Sequence, residues 1–173
     1  MTSSMVGLQY FPNYLHNTED LFNTLSQLNW RQNKYSVGER EILVPRLSLT
    51  FHQNDYPPLP LILVKIKDKI ESEFNKTFSL TVLNYYRDGR DYTKWEIDKE
   101  LFGCDSIYCL SFGTVRKIQF RPVGSTTISH QFLIGNNSLT VMDYEIIKNS
   151  YEYCFPKQLR VKEGRISVTF RER

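Results

Sequence analysis

At Phe78-Ser79-Leu80-Thr81-Val82-Leu83-Asn84-Tyr85-Tyr86 the hydrophobic period of the chain changes from about 3.6 residues to 2. Alternation puts Phe78, Leu80, Val82, Asn84 and Tyr86 on one face, so an asparagine and a tyrosine end an inward-looking row. Downstream, strand-like runs recur at 107–112, 115–121, 127–134, 138–142 and 165–171, separated by Asp88-Gly89, Gly113, Gly124 and Gly135-Asn136-Asn137. Short strands punctuated in this way predict a sandwich or jelly roll rather than a parallel α/β sheet. Upstream, Asn17-Thr18 caps a helix carrying Leu21, Phe22, Leu25 and Leu28 and ending near Trp30. Residues 31–41 read as a loop, 43–51 as a strand interrupted by Pro45, and Tyr56–Pro60 as a rigid turn. Ile62, Ile66, Ile70 and Phe74 then mark a second helix with Lys65, Lys67 and Lys69 on its outer face. The expected class is mainly β with flanking helices (α+β), both helices buttressing one face.

Of 173 residues, 40% are hydrophobic and 14% aromatic, enough to give one domain a core without disulfides or metals. No apolar run approaches the roughly 20 residues of a membrane span, and Met1–Met5 lacks the basic start and apolar stretch of a secretory signal. Cys104, Cys109 and Cys154 match neither a zinc site nor a disulfide framework, so an intracellular setting, cytoplasmic or nuclear, is expected. A formal charge of +3 permits nucleic-acid binding without demanding it.

The polar residues on the strands narrow the chemistry. In Arg165-Ile166-Ser167-Val168-Thr169-Phe170-Arg171 the apolar residues share one face, and Arg165, Ser167, Thr169 and Arg171 share the other. Two guanidiniums so placed either hold an anion or line the exposed side of an edge strand. In Trp95–Glu100 an extended backbone gathers Glu96, Asp98 and Glu100, three carboxylates that repel one another unless a cation or an arginine joins them.

Together these stretches resemble the AlkB family of iron(II)- and 2-oxoglutarate-dependent dioxygenases, which oxidatively remove alkyl groups from nucleobases. Tyr10–Leu15 with Trp30 resembles the family's opening segment, and Val44-Pro45-Arg46 its Pro-Arg strand. Asn84-Tyr85-Tyr86-Arg87-Asp88-Gly89, continuing to Asp91, matches the signature Asn-x-Tyr-x-x-Gly-x-Asp. Leu110–Gly113 with Arg116–Phe120, Asn137–Met142, Phe155-Pro156-Lys157 and the closing Arg165-x5-Arg171 follow in the family's order. The resemblance implies one domain over residues 1–173, a double-stranded β-helix (jelly-roll) core at 78–173 preceded by a helical and lid extension at 1–77. It also implies that Arg165 and Tyr86 hold the distal carboxylate of 2-oxoglutarate, with Asn84 and Arg171 near its metal-side end.

The chain departs from the family at the metal ligands, where relatives use His-x-Asp and a later His. Here those positions hold Glu96, Asp98 and Tyr153, an all-oxygen set in place of the two imidazoles and one carboxylate that suit iron(II). His16, His52 and His130 align with neither histidine position. Glu96 and Asp98 balance the charges of Arg165 and Arg171, so a self-neutralised pocket is expected, with iron(II) doubtful and 2-oxoglutarate weak. Ser167 stands where relatives carry an asparagine. The lid is short, since only Phe51–Tyr56 follows the Pro-Arg strand, leaving Phe51 or Tyr56 to stack on a base. With Arg46, Arg87, Arg90, Glu100, Arg116 and Lys117 these are the candidate nucleic-acid residues. The reading that follows is a catalytically degenerate module that binds DNA or RNA or joins a protein complex. Its alternatives are an active nucleic-acid demethylase using Glu96, Asp98 and Tyr153, and a structural subunit.

Overall fold

The computed structural model describes residues 5–16, 20–97 and 105–172. In chain order the elements are β1 (Leu8–Phe11), α1 (Leu21–Ser26), β2 (Lys34–Val37), β3 (Arg40–Leu43), β4 (Leu47–His52), α2 (Leu61–Phe74), β5 (Leu80–Tyr86), β6 (Ser106–Gly113), β7 (Arg116–Pro122), β8 (His130–Ile134), β9 (Ser138–Asp143), α3 (Tyr144–Ser150), β10 (Tyr151–Cys154) and β11 (Arg165–Arg171). Six strands form an antiparallel sheet ordered β1-β9-β6-β11-β5-β4, three form a second ordered β10-β7-β8, and β2 pairs only with β3. This is the jelly-roll arrangement expected. None of the described helices is long and apolar enough to cross a membrane.

The two faces of the large sheet carry different chemistry. Leu83, Leu110, Phe112, Leu139, Ile166, Val168 and Phe170 form one apolar cluster with Leu21 and Leu25 of α1 and Leu63, Ile66 and Ile70 of α2. Full burial of each such side chain contributes about 1.5–3 kcal/mol. On the opposite face Ile107 and Met142 join Ile118, Phe120 and Ile134 of the second sheet, together with Ile147 of α3, in a smaller cluster. The rest of that face mixes Leu80 and Val82 with polar residues such as Asn84, Arg165, Ser167 and Thr169, and opens into a cavity.

Register fixes which polar residues meet. β11 lies between β6 and β5, so its polar row is buried in the middle of the sheet and is not an exposed edge. Arg165 pairs with Tyr86, Ser167 with Asn84 and Ser111, and Arg171 with Leu80 and Ile107.

Several elements differ from the sequence reading. Phe78 precedes β5 and packs on Tyr108 and Phe170 in the helix-side cluster, away from Leu80, Val82, Asn84 and Tyr86, because the alternation begins only inside the strand. In α2 the buried stripe is Leu63, Ile66 and Ile70, while Ile62 is exposed, since a 3.6-residue period rotates the stripe away from a strict four-residue repeat. α1 stops at Ser26, where the N–H groups of Gln27 and Leu28 tighten to i−3 carbonyls, and its predicted cap at Asn17-Thr18 lies outside the described residues. The 31–41 stretch holds strands of a hairpin. Pro45, with no N–H to donate, separates β3 from β4 where one strand was expected. The first 77 residues also contribute β1 and β4, the two edge strands of the large sheet.

Candidate functional site

The turn after β5 is locked from three directions. Asp91, 5% exposed, accepts hydrogen bonds from the backbone N–H of Arg87 at 2.9 Å and from its guanidinium at 2.8 and 2.9 Å. Gly89 donates to Val161 O at 3.0 Å and accepts from Gln158 N–H at 2.8 Å. A Cβ at position 89 would lie 1.8 Å from Gln158 O, so only glycine allows this approach. Arg116, fully buried, donates to the carbonyls of Asp88 (3.0 Å), Asp91 (2.8 Å) and Pro156 (3.1 Å) and to Gln158 Oε1 (3.2 Å). It ties the signature turn to the segment after β10.

A cavity of about 670 Å³ lies between the sheets, lined by Arg46, Asn84, Tyr86, Glu96, Tyr153, Phe155, Arg165, Ser167 and Arg171 among others. Arg165 is 1% exposed and donates from Nη2 to Ser111 Oγ at 2.7 Å. Its guanidinium carbon sits 4.4 Å from the centroid of the Phe155 ring and 5.4 Å from that of Tyr86. Among the described residues, Nε and Nη1 have no hydrogen-bond partner. A buried guanidinium in a cavity wall, with two donors unpaired, is chemically suited to a carboxylate. Tyr86, 2% exposed, has its phenol raised by burial against the opposing pull of Arg46 and Arg165, so it stays a donor at neutral pH. Asn84 Oδ1 accepts from Arg46 Nε at 2.9 Å, which draws Arg46 into the pocket wall. The residues present therefore fit a carboxylic acid such as 2-oxoglutarate.

They do not fit iron(II) in the family's manner. Glu96 donates its N–H to Tyr153 O and accepts from Tyr153 N–H, both at 3.1 Å, in an isolated antiparallel bridge. Directly opposed residues of such a pair present their side chains on one face, and both line the cavity. At the two positions where the resemblance sets imidazoles, a carboxylate and a phenol stand together. Asp98, the third position, lies outside the described residues. Glu96 is exposed at the cavity mouth, and no carboxylate among the described residues forms a salt bridge with Arg165.

The nucleic-acid candidates separate. Arg116 is withdrawn as a phosphate contact, since it is fully buried and occupied by carbonyls. Arg87 is held by Asp91. Arg46 is in the pocket. Arg90 is surface-exposed but paired with Asp88 at 2.6 Å, which holds the Asp88 carboxyl down at about 2. Lys117 is half-buried on β7, and Glu100 lies outside the described residues. Phe51 packs partly against the helix-side cluster, while Tyr56 is 95% exposed, and both border a second cleft beside Pro57 and Pro58. The basic face of α2 is partly neutralised, with Lys67 bonded to Glu71 and Lys69 to Glu73, each at 2.7 Å. Sequence reasoning gave no role to Ser111, whose place opposite Ser167 comes only from strand pairing, nor to Phe155 as the ring under Arg165.

A jelly roll with paired strand arginines facing a cavity defines the class of 2-oxoglutarate-oxygenase folds. Residues 7–171 match the model of the 2OG-Fe(II) oxygenase superfamily, and the chain belongs to that superfamily as an AlkB-like member. It is 29% identical over 143 residues to human alpha-ketoglutarate-dependent dioxygenase alkB homolog 3, covering 78% of this chain and 49% of that protein. It is 28% identical over 137 residues to human DNA oxidative demethylase ALKBH2, covering 73% and 52%. The chain spans about half the length of these curated relatives. The solved structure of OsALKBH1 superposes with a TM-score of 0.70 at 12% identity, over 99% of this chain and 100% of that one. A 2OG-Fe(II) oxygenase-family oxidoreductase from Burkholderia pseudomallei superposes at 0.66 and 10% identity, over 96% and 84%.

Proposed function

We propose that this chain is an AlkB-like fold that no longer runs iron-dependent oxidation and serves as a nucleic-acid-binding or complex-forming module. The observation that supports this reading is the Glu96–Tyr153 bridge, since the family resemblance sets imidazoles at these two positions and a carboxylate and a phenol stand there instead. Nucleic acid enters as the ligand through the relatives, one of which is named as a DNA oxidative demethylase. Tyr56 offers an exposed ring to a base, and Arg90 and Lys117 offer cations to phosphates. The pocket holds 2-oxoglutarate weakly, with a Kd on the order of 0.1–1 mM, because a few charge-assisted bonds act without metal chelation.

The test combines two measurements on the full chain. Fluorescence anisotropy with labelled single- and double-stranded oligonucleotides should show binding that weakens between 50 and 200 mM salt, by about tenfold for a few phosphate contacts. Incubation with iron(II), 2-oxoglutarate and methylated oligonucleotide should release no succinate above a heat-killed control. Succinate release that Asp98→Ala abolishes overturns the reading in favour of an active demethylase with an oxygen-rich site. Absence of oligonucleotide binding at low salt leaves a structural subunit instead.

A further inference from the structure

The outer edge of β4 is closed at both ends and open in the middle. β4 is the last strand of the large sheet, so alternate residues turn their backbone N–H and C=O away from β5. At Ser48 these groups are taken by Arg31, whose carbonyl accepts at 2.8 Å and whose N–H donates at 3.4 Å. At His52 they are taken by Asp55, through Oδ2 at 2.8 Å and through its own N–H at 3.1 Å. Thr50, between them, shares their parity, and among the described residues its outward N–H and C=O have no hydrogen-bond partner. The segment that bridges Ser48 does not continue along the edge, because Trp30 N–H folds back to Leu28 O at 2.8 Å. The gap borders the cleft of about 520 Å³ that Thr50 shares with Asn29, Arg31, Phe51 and Tyr56. Tyr56 is 95% exposed, and Arg31, also exposed, forms no salt bridge among the described residues. Asp55, the one carboxylate in the cleft lining, is engaged by His52 N–H.

We propose that the open backbone edge at Thr50 is a base-reading slot, outside the Arg165 cavity, that takes one unmodified base of a single-stranded nucleic acid. The gap is a single residue long. A peptide added as a strand would need a run of outward residues, and Arg31 and Asp55 already occupy those on either side. One donor and one acceptor on a single extended residue match a planar ring that presents an acceptor beside a donor, as the Watson–Crick edge of every base does. Tyr56 supplies a ring on which such a base stacks, and Arg31 a cation for its phosphate. Pairing hides that edge in a duplex, so the slot reads single strands. This inference deepens the nucleic-acid reading above and rests on it, and the test separates the two.

The experiment is fluorescence anisotropy on the full chain with a labelled thymidine oligomer and with the same oligomer methylated at N3, which removes the ring donor and covers the edge. The unmodified oligomer should bind about tenfold tighter. Thr50→Pro deletes the outward N–H without touching the β4–β5 ladder, and should bring the two oligomers within about twofold. Tyr56→Ala should weaken the unmodified oligomer about tenfold and the methylated one far less. Arg31→Gln should lower the salt dependence of binding by about one phosphate contact. Should circular dichroism show that Thr50→Pro does not fold, Tyr56→Ala decides, since it too should close the gap between the oligomers. Equal binding of both oligomers by wild-type protein overturns the slot and leaves salt-sensitive nucleic-acid binding in place. A tenfold preference that survives in folded Thr50→Pro puts the base elsewhere and overturns it as well. Absence of binding to either oligomer at low salt overturns the nucleic-acid reading, and the slot with it. Binding of an extended strand-forming peptide that Thr50→Pro abolishes, with the two oligomers bound equally, assigns the edge to strand addition and overturns the proposal.

Discussion

Arg116 and Arg165 approach the ring of Tyr86 at 5.3 and 5.4 Å, and both are essentially inaccessible to water. Their surroundings divide them. Arg116 meets three backbone carbonyls and a glutamine, and burial together with the neighbouring positive charge of Arg165 holds its pKa below the ordinary arginine value. Arg165 meets one serine hydroxyl and two rings, leaving Nε and Nη1 without a partner among the described residues. Burial alone does not distinguish a structural arginine from a binding one; the count of satisfied donors does, because an unpaired buried donor costs stability unless a ligand supplies the acceptor.

The sharpest way to break this comparison is to remove Arg116. Arg116→Ala strands four acceptors that now join the signature turn to the segment after β10, and should destabilise the fold by about 3–5 kcal/mol in urea denaturation. A loss below about 1 kcal/mol would show that the turn is held by the Gly89 and Asp91 contacts alone. The metal positions supply the next effect. Glu96→His with Tyr153→His rebuilds two imidazoles across the existing bridge, and cobalt(II) or iron(II) affinity should rise about 100-fold over wild type, read by metal titration. Demethylation need not follow, because the segment between β4 and α2 remains short. No gain in metal affinity would mean that the bridge no longer holds the family's ligand geometry.

Arg165 tests the other side of the comparison with a smaller change in stability. Arg165→Met removes a guanidinium whose donors are only partly satisfied, so in ligand-free protein the stability should move by less than about 1.5 kcal/mol in either direction. Binding of small carboxylates should be lost. Destabilisation as large as that of Arg116→Ala would place Arg165 with the structural arginines.

The sequence revealed the fold class through period-2 runs and ordered motifs, and the pocket through the alternation of β5 and β11. The same alternation could not reveal that β11 is central rather than an edge strand, because strand order depends on pairing partners far away in the chain. The fate of Arg116 was illegible for a related reason. Its four acceptors come from residues 88, 91, 156 and 158, brought together only by tertiary structure. Local signals for α3 were present, since Asp143 caps it by accepting from Ile146 N–H at 3.1 Å, but seven residues are too few for periodicity to declare a helix. The β2–β3 hairpin was missed because its residues are mostly exposed and carry no buried face to alternate.

Cys154 extends the rule about buried polar groups to one that can shed its charge. It is 4% exposed at the end of β10, its thiol donates only weakly to Gln119 Oε1 at 3.9 Å, and burial pushes its pKa up to about 11, against the opposing pull of Arg121. The folded chain thus holds the proton more tightly than the unfolded chain, where the thiol titrates near 9. This contribution to stability is present in full below pH 9 and is lost as the pH rises through about 11. Near pH 10 the loss should be roughly 1 kcal/mol relative to neutral pH. Tyrosines ionise in the same range, so the measurement is the difference between wild type and Cys154→Ala, each unfolded in urea at pH 7 and pH 10. The stability advantage of wild type over the variant should shrink by that amount at the higher pH. An unchanged advantage would mean that the thiolate finds stabilisation in the fold, with Arg121 acting as its counter-charge, and that burial at β10 is less severe than at Arg116.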